Sequence, residues 1–298
     1  MSEIFDALYQ SQGQQVGVGA RRFSSAKELL RAVEQENATA TGLPGSEGQV
    51  IPLEQPGQFP TACISLPEGS RLICLARDES LAAEKFRFVA TRLRHMQQKR
   101  SLKRIVITSS VPGEGKTMVA ANLASALAGG KQQVLLLEGD LRRPSLGQQL
   151  GVLGVPGLSE CLQSKTDRSN DIYRVQDSNL HLLLAGKTPA SALDLMEPTR
   201  LSLLLNNLST IFDWVIIDCP PLLPLADTSV WMRLSDAVLL VTRPGVTTKR
   251  LLERTMETIE RSKFLGVLLN ASSEASGDHY YRYYAGPRPG TTLPAVAT

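Results

Sequence analysis

Ser109-Ser110-Val111-Pro112-Gly113-Glu114-Gly115-Lys116-Thr117 decides how this 298-residue chain folds. A β-branched apolar run, Ile105-Val106-Ile107-Thr108, precedes it, and an Ala-rich helical run from Met118 to Leu127 follows. A glycine-rich turn between a strand and a helix lets backbone N–H groups converge on a phosphate, next to the positive end of the helix. In the pattern G-x-x-x-x-G-K-[ST] the lysine reaches the β- and γ-phosphates and the hydroxyl ligates Mg²⁺. Lys116 and Thr117 stand in those places, and Gly113, Glu114, Gly115 and Met118 supply the rest of the cradle. The first position of the pattern is Ser110 rather than glycine, so the strand–loop–helix setting carries much of the argument.

Outward from the loop, short apolar runs alternate with helical patterns. Strands are expected at 72–75, 105–108, 134–137, 180–184, 215–217, 237–241 and 266–269. Helices are expected at 81–96, 118–128, 145–150, 200–209, 228–234 and 248–262. That alternation implies an α/β fold, a parallel sheet built by right-handed crossovers with helices on both faces. Ligands of such sheets bind beyond the carboxyl ends of the strands. Two acidic motifs fall at those ends: Glu138-Gly139-Asp140-Leu141-Arg142 after one strand and Asp218-Cys219-Pro220-Pro221 after another. Carboxylates there suit Mg²⁺, which takes oxygen ligands and keeps several waters. Asp218 is the expected Mg²⁺ ligand, and Asp140 or Glu138 is expected to act on Mg²⁺ or on an attacking hydroxyl.

Composition sets bounds. A hydrophobic share of 42%, a charged share of 20% and an aromatic share of 5% suit an aliphatic-rich parallel sheet. A net charge of +3 gives no argument for nucleic acid. Four cysteines without metal spacing point to a reducing compartment, and the N-terminus has no signal-peptide pattern. No apolar run reaches the roughly 18 residues of a membrane span, so any membrane role is peripheral or through a partner. Residues 1–70 read as an extension with short helices near 3–11 and 26–33 and a linker from about Asn37. Residues 71–275 read as the nucleotide-binding domain and 276–298 as a flexible tail. Four of the six tyrosines crowd into that tail, at Tyr280, Tyr281, Tyr283 and Tyr284. Flanking Gly and Pro keep such a segment out of a core, leaving either an exposed acceptor cluster or a docking patch. A run of basic residues without acids, Lys85 to Arg104 beyond Glu84, reads as a solvated helix face or an anion-attracting one.

With these motifs in place, the region from about Arg71 to Ala285 resembles the bacterial tyrosine kinases of capsule and exopolysaccharide loci. They belong to the deviant Walker P-loop group that also holds the septum-site and plasmid-partition ATPases. The matching residues are Ser110 to Thr117 with Ala121-Asn122-Leu123-Ala124, Leu135 to Pro144, Gly157 to Leu162, Leu183 to Gly186, Asp213 to Pro221 with Asp227, and Gly266 to Asn270. The partition ATPases carry a lysine near the loop's start that this chain lacks, which favours the kinase branch. The resemblance implies a cytoplasmic, ATP- and Mg²⁺-dependent tyrosine autokinase that phosphorylates its tail in a neighbouring subunit and regulates polysaccharide synthesis or export. It implies a transmembrane, Wzz-like polysaccharide co-polymerase on a separate chain as partner. It places Asn270 at the adenine and Lys116, Asp140, Glu138 and Asp218 in catalysis. Where the family usually has Asp, this chain has Glu138. Of the family's Glu-x-x-Arg-x-x-Arg ring-assembly motif it keeps Glu84 and Arg87 but has Ala90 third. An ATPase switch or pseudokinase docking to the same membrane partner is the alternative.

Overall fold

The computed structural model describes residues 59–76, 79–164, 171–223 and 227–271. The tyrosine cluster and the two N-terminal helices expected from sequence lie outside them. Eight strands form one sheet among the described residues: β1 (Thr61–Ala62), β2 (Arg104–Ser109), β3 (Val134–Glu138), β4 (Tyr173–Val175), β5 (Leu180–Leu183), β6 (Trp214–Asp218), β7 (Ala237–Thr242) and β8 (Phe264–Leu269), in spatial order 1-4-5-3-6-2-7-8. Every neighbouring pair runs parallel except β4 with β5. The order reverses direction around β2, so the loop after it opens at a switch point, where α/β sheets bind ligands.

The strands read as unbroken apolar runs because both faces are covered. Ile105, Ile107, Leu136, Ile216 and Val241 point into one core, under α1 (Leu81–Gln97), α2 (Lys116–Ala128) and α3 (Leu146–Leu150). Val106, Leu135, Leu137, Val215, Ile217 and Leu240 point into the other. That second core is covered by α4 (Leu158–Gln163), α5 (Ala192–Leu195), α6 (Pro198–Ile211), α7 (Asp227–Leu234) and α8 (Lys249–Glu257). Alternation of period two along each strand thus feeds two cores from one sheet. Among the described residues no helix is long and apolar enough to cross a membrane.

Three expectations change. The run Leu72–Leu75 is no strand: residues 73–76 form a turn, with Leu72 buried. Asn122 of α2 fixes that turn, accepting from Cys74 N–H (2.9 Å) and donating to the Arg71 carbonyl (2.9 Å). The sheet also begins before Arg71, since Phe59 is buried and Thr61–Ala62 pair with Arg174–Val175. Finally, the basic run is partly consumed by the fold. Arg94 donates to the Ala126 and Leu127 carbonyls at the end of α2, Lys103 to Ser209 O, and Arg104 to Leu234 O and Asn206. Cations at helix C-termini offset the carbonyl ends of the dipole. In the ring motif, Glu84 pairs with Arg87, but Ala90 is wholly buried in the core, facing away from solvent.

Candidate active site

The phosphate loop follows β2 and ends in α2. Gly113 and Gly115 have φ of +86° and +88°, the left-handed region that L side chains avoid. Gly115 is also crowded: a Cβ there would lie 2.2 Å from Asn270 Nδ2. Gly115 caps α2 without a side-chain bond. Among the described residues, the N–H groups of Gly113 to Met118 have no backbone acceptor, whereas several of the loop's oxygens are engaged. Asn270 Nδ2 donates to Glu114 O (2.9 Å) and Arg243 Nη1 to Gly113 O (3.4 Å). The Glu114 side chain is fully buried, accepting from Val111 N–H (2.8 Å) and from the Thr247 hydroxyl. Ser110, standing where the pattern has glycine, accepts from the buried Thr255 hydroxyl (2.9 Å). The loop is therefore clamped from the β7–α8–β8 side with donors left over, which is what an anion needs.

Charged groups gather at its mouth. Lys116 Nζ lies 3.5 Å from Asp140 Oδ2, both groups mostly buried. Asp140 Oδ1 accepts from Arg143 N–H (3.0 Å). Asp218, the last residue of β6, is 1% exposed, and its Oδ1 has no hydrogen-bond partner among the described residues. Burial pushes its carboxyl up to about 7, with the Lys116 charge and the Thr117 hydroxyl pulling the other way. A buried carboxylate oxygen with no donor, beside a hydroxyl, fits a hard dication that would take the place of the missing donor.

Glu138 departs from expectation. Its Oε1 accepts from Ser145 and Leu146 N–H (both 2.6 Å), and its Oε2 from Ala185 N–H (3.0 Å). Burial raises its pKa, against the pull of those three donors, and Asp140 adds to the rise. Both carboxylate oxygens thus accept from backbone amides. Asn270, expected at the adenine, donates from Nδ2 to the loop backbone at Glu114 O.

A family model described as an AAA domain matches residues 102–265, and that span holds the loop and both acidic strand ends. The tyrosine-protein kinase YwqD of Bacillus subtilis (strain 168) is 30% identical over 222 residues, covering 72% of this chain and 93% of that protein. The chain belongs to the bacterial tyrosine-protein kinases. The kinase domain of the Escherichia coli tyrosine kinase ETK superposes with a TM-score of 0.63 at 26% identity, covering 78% of this chain and 98% of that domain. The chimerical protein CapA2B2 gives a TM-score of 0.63 at 28% identity, covering 72% and 94%.

Several residues of this kinase's site were not legible as such. Arg142 clamps Asp227 bidentately (Nη2–Oδ1 3.0 Å), tying the loop after β3 to the start of α7, and Asp227 is buried. That bond raises the already high pKa of Arg142. Gly139 donates to Asp218 O (2.8 Å) and accepts from Trp231 Nε1 (3.2 Å), so the two acidic strand ends are locked together. Thr247 and Arg243 carried no signal, because their partner in the phosphate loop lies more than a hundred residues away in sequence.

Proposed function

We propose that this kinase transfers the γ-phosphoryl of ATP to tyrosines of its own C-terminal cluster, Tyr280, Tyr281, Tyr283 and Tyr284, between copies of the chain. The observation that carries this is the convergence of Lys116, Thr117, Asp140 and Asp218 at the mouth of the glycine loop. Phosphoryl transfer needs positioning and charge neutralisation more than covalent help. Backbone N–H groups of Gly113 to Met118 hold the phosphates, and Lys116 neutralises the transferring group. Thr117, Asp218 and Asp140 would hold Mg²⁺, which supplies further charge neutralisation when bound. The phenol oxygen forms the new bond to γ-phosphorus as the bond to the bridging oxygen breaks. ADP leaves with that electron pair, and a carboxylate at the site takes the phenol proton.

Each phosphate adds about −1.5 to −2 charges to the tail, enough to weaken its contact with a neighbour. On this reading the kinase regulates capsule or exopolysaccharide synthesis from the cytoplasmic face of the membrane, through a separate transmembrane co-polymerase. The ATPase-switch alternative shares the nucleotide site but needs no tyrosine acceptor. The purified chain incubated with Mg-ATP, with and without a co-polymerase's cytoplasmic segment, separates the two by mass-spectrometric mapping of phosphate. Label on Tyr280 to Tyr284 that disappears in Lys116→Met supports the kinase. ATP hydrolysis without tyrosine label in either arm overturns it.

A further inference from the structure

Glu138 ends β3, and the structure shows what the length of its side chain reaches. Its two oxygens meet three backbone donors from two other segments: Ser145 and Leu146, which open α3, and Ala185, just past β5. An aspartate would fall short of them by about one C–C bond, roughly 1.5 Å. The side chain is 2% exposed, so no solvent replaces a lost donor. A proton acceptor has to come within hydrogen-bond reach of the phenol, and an oxygen already holding two N–H groups at 2.6 Å has little left to offer.

Two residues on, Asp140 has one oxygen on a backbone amide and the other on a side-chain cation. Gly139 is fixed through both its N–H and its carbonyl, to Asp218 O and Trp231 Nε1. Asp140 leaves that fixed point with Oδ1 on Arg143 N–H and Oδ2 turned to Lys116. On the kinase reading given above, we infer that Glu138 is a positioning residue, a strut joining β3, α3 and the β5 loop. The strut and the fixed Gly139 together set the direction of the Asp140 carboxylate toward Lys116. The two carboxylates of this motif thus have separate tasks, one holding backbone and the other facing the phosphates.

Glu138→Asp, Glu138→Gln and Asp140→Asn in the full chain test this. Tyrosine phosphorylation is followed with Mg-ATP well below each variant's melting temperature, together with KM for ATP and amide hydrogen exchange. For the strut, both Glu138 variants lose about 10- to 100-fold in kcat, the cost of roughly an ångström of misplacement, with KM within about threefold. Their exchange protection falls at 145–146 and 185 but holds in the phosphate loop. Asp140→Asn loses about 10²-fold or more in kcat with protection unchanged, because it removes a charge at the site and leaves the strut in place.

Near-wild-type turnover in Glu138→Asp, coupled with loss in Glu138→Gln as deep as in Asp140→Asn, would make Glu138 the proton acceptor and overturn the inference. So would full kcat in both Glu138 variants, which reduces the residue to fold stability alone. The exchange arm does not depend on turnover. If the wild type labels no tyrosine, the kinase reading falls, and protection at 145–146 and 185 still decides whether the strut exists.

Discussion

Gly115→Ala tests the phosphate loop most directly, because two independent penalties meet at one Cβ. The first is backbone: at φ +88° an L side chain costs about 1–2 kcal/mol relative to glycine. The second is contact: the new methyl would sit 2.2 Å from Asn270 Nδ2, so the amide must swing away from Glu114 O. A hydrogen bond lost from a mostly buried carbonyl costs about 1–3 kcal/mol. Together they predict about 2–5 kcal/mol, or a drop in melting temperature of roughly 4–20 °C for a domain of this size.

The two terms separate in a double-mutant cycle with Asn270→Ala. Removing the amide relieves the clash, so the double variant costs less than the sum of the singles by about 1 kcal/mol or more, a coupling expected of residues in contact. Thermal unfolding of all four proteins gives the cycle, and titration with a fluorescent ADP analogue and Mg²⁺ gives affinity, which falls at least tenfold in Gly115→Ala. A melting temperature within 1 °C of wild type with unchanged affinity would refute the reasoning. Strict additivity would refute the contact alone and leave the backbone term.

Three other perturbations follow from the site. Gly139→Ala brings a Cβ to 2.9 Å from Trp231 Cε2 and 3.1 Å from Asp218 O, and overpacking of that kind costs about 1–3 kcal/mol, read as a lower urea midpoint. Asp218→Asn stabilises the nucleotide-free protein at pH 8. The folded-state pKa of Asp218 is raised from 3.8 to about 7, so its contribution is fully present below 3.8 and lost as pH climbs to 7. The gap of about 3 units bounds the gain near 4 kcal/mol, fading toward pH 4 in melting curves, while Mg-ADP stabilises the variant less than wild type. At the Arg142–Asp227 clamp the two truncations differ. Asp227→Ala frees a half-exposed guanidinium to water and costs little, whereas Arg142→Ala strands a carboxylate that is 2% exposed and costs about 3 kcal/mol or more.

The phosphate loop and the acidic strand ends were legible because their chemistry is local: glycines, a lysine and a hydroxyl at fixed offsets, and acids one step past apolar strands. The central strands were legible because a strand buried on both faces has no choice but to be apolar. β1 and β4 escaped, being two and three residues long with no run to show, and placed only by pairing with each other and with β5. Leu72–Leu75 misled for the opposite reason. A four-residue apolar run does not tell strand from turn, and the residue that decides, Asn122, lies 48 positions beyond Cys74. Glu138 shows the limit most sharply. Its motif position says acid at a strand end, but its task is set by amides 7, 8 and 47 residues further on.

The same long-range contacts fix the shape of the loop from outside the cradle. A flexible glycine loop would lose much of its binding energy in ordering two left-handed residues at the moment of binding. Here Asn270 and Arg243 hold the carbonyls of Glu114 and Gly113, and Thr247 holds the Glu114 side chain, which itself takes Val111 N–H. On the other side Leu222 N–H bonds Ser109 O (2.8 Å), and the Thr108 and Thr228 hydroxyls share Pro220 O. With carbonyls drawn outward by neighbours on both flanks, the amides that remain have one direction left to serve, toward an anion. Glu114 belongs to that outer clamp through its side chain and to the cradle through its backbone. The acid in the middle of a phosphate-binding loop is therefore no contradiction: its carboxyl group is buried and hydrogen-bonded to Val111 N–H and the Thr247 hydroxyl, which leaves its amide for the site.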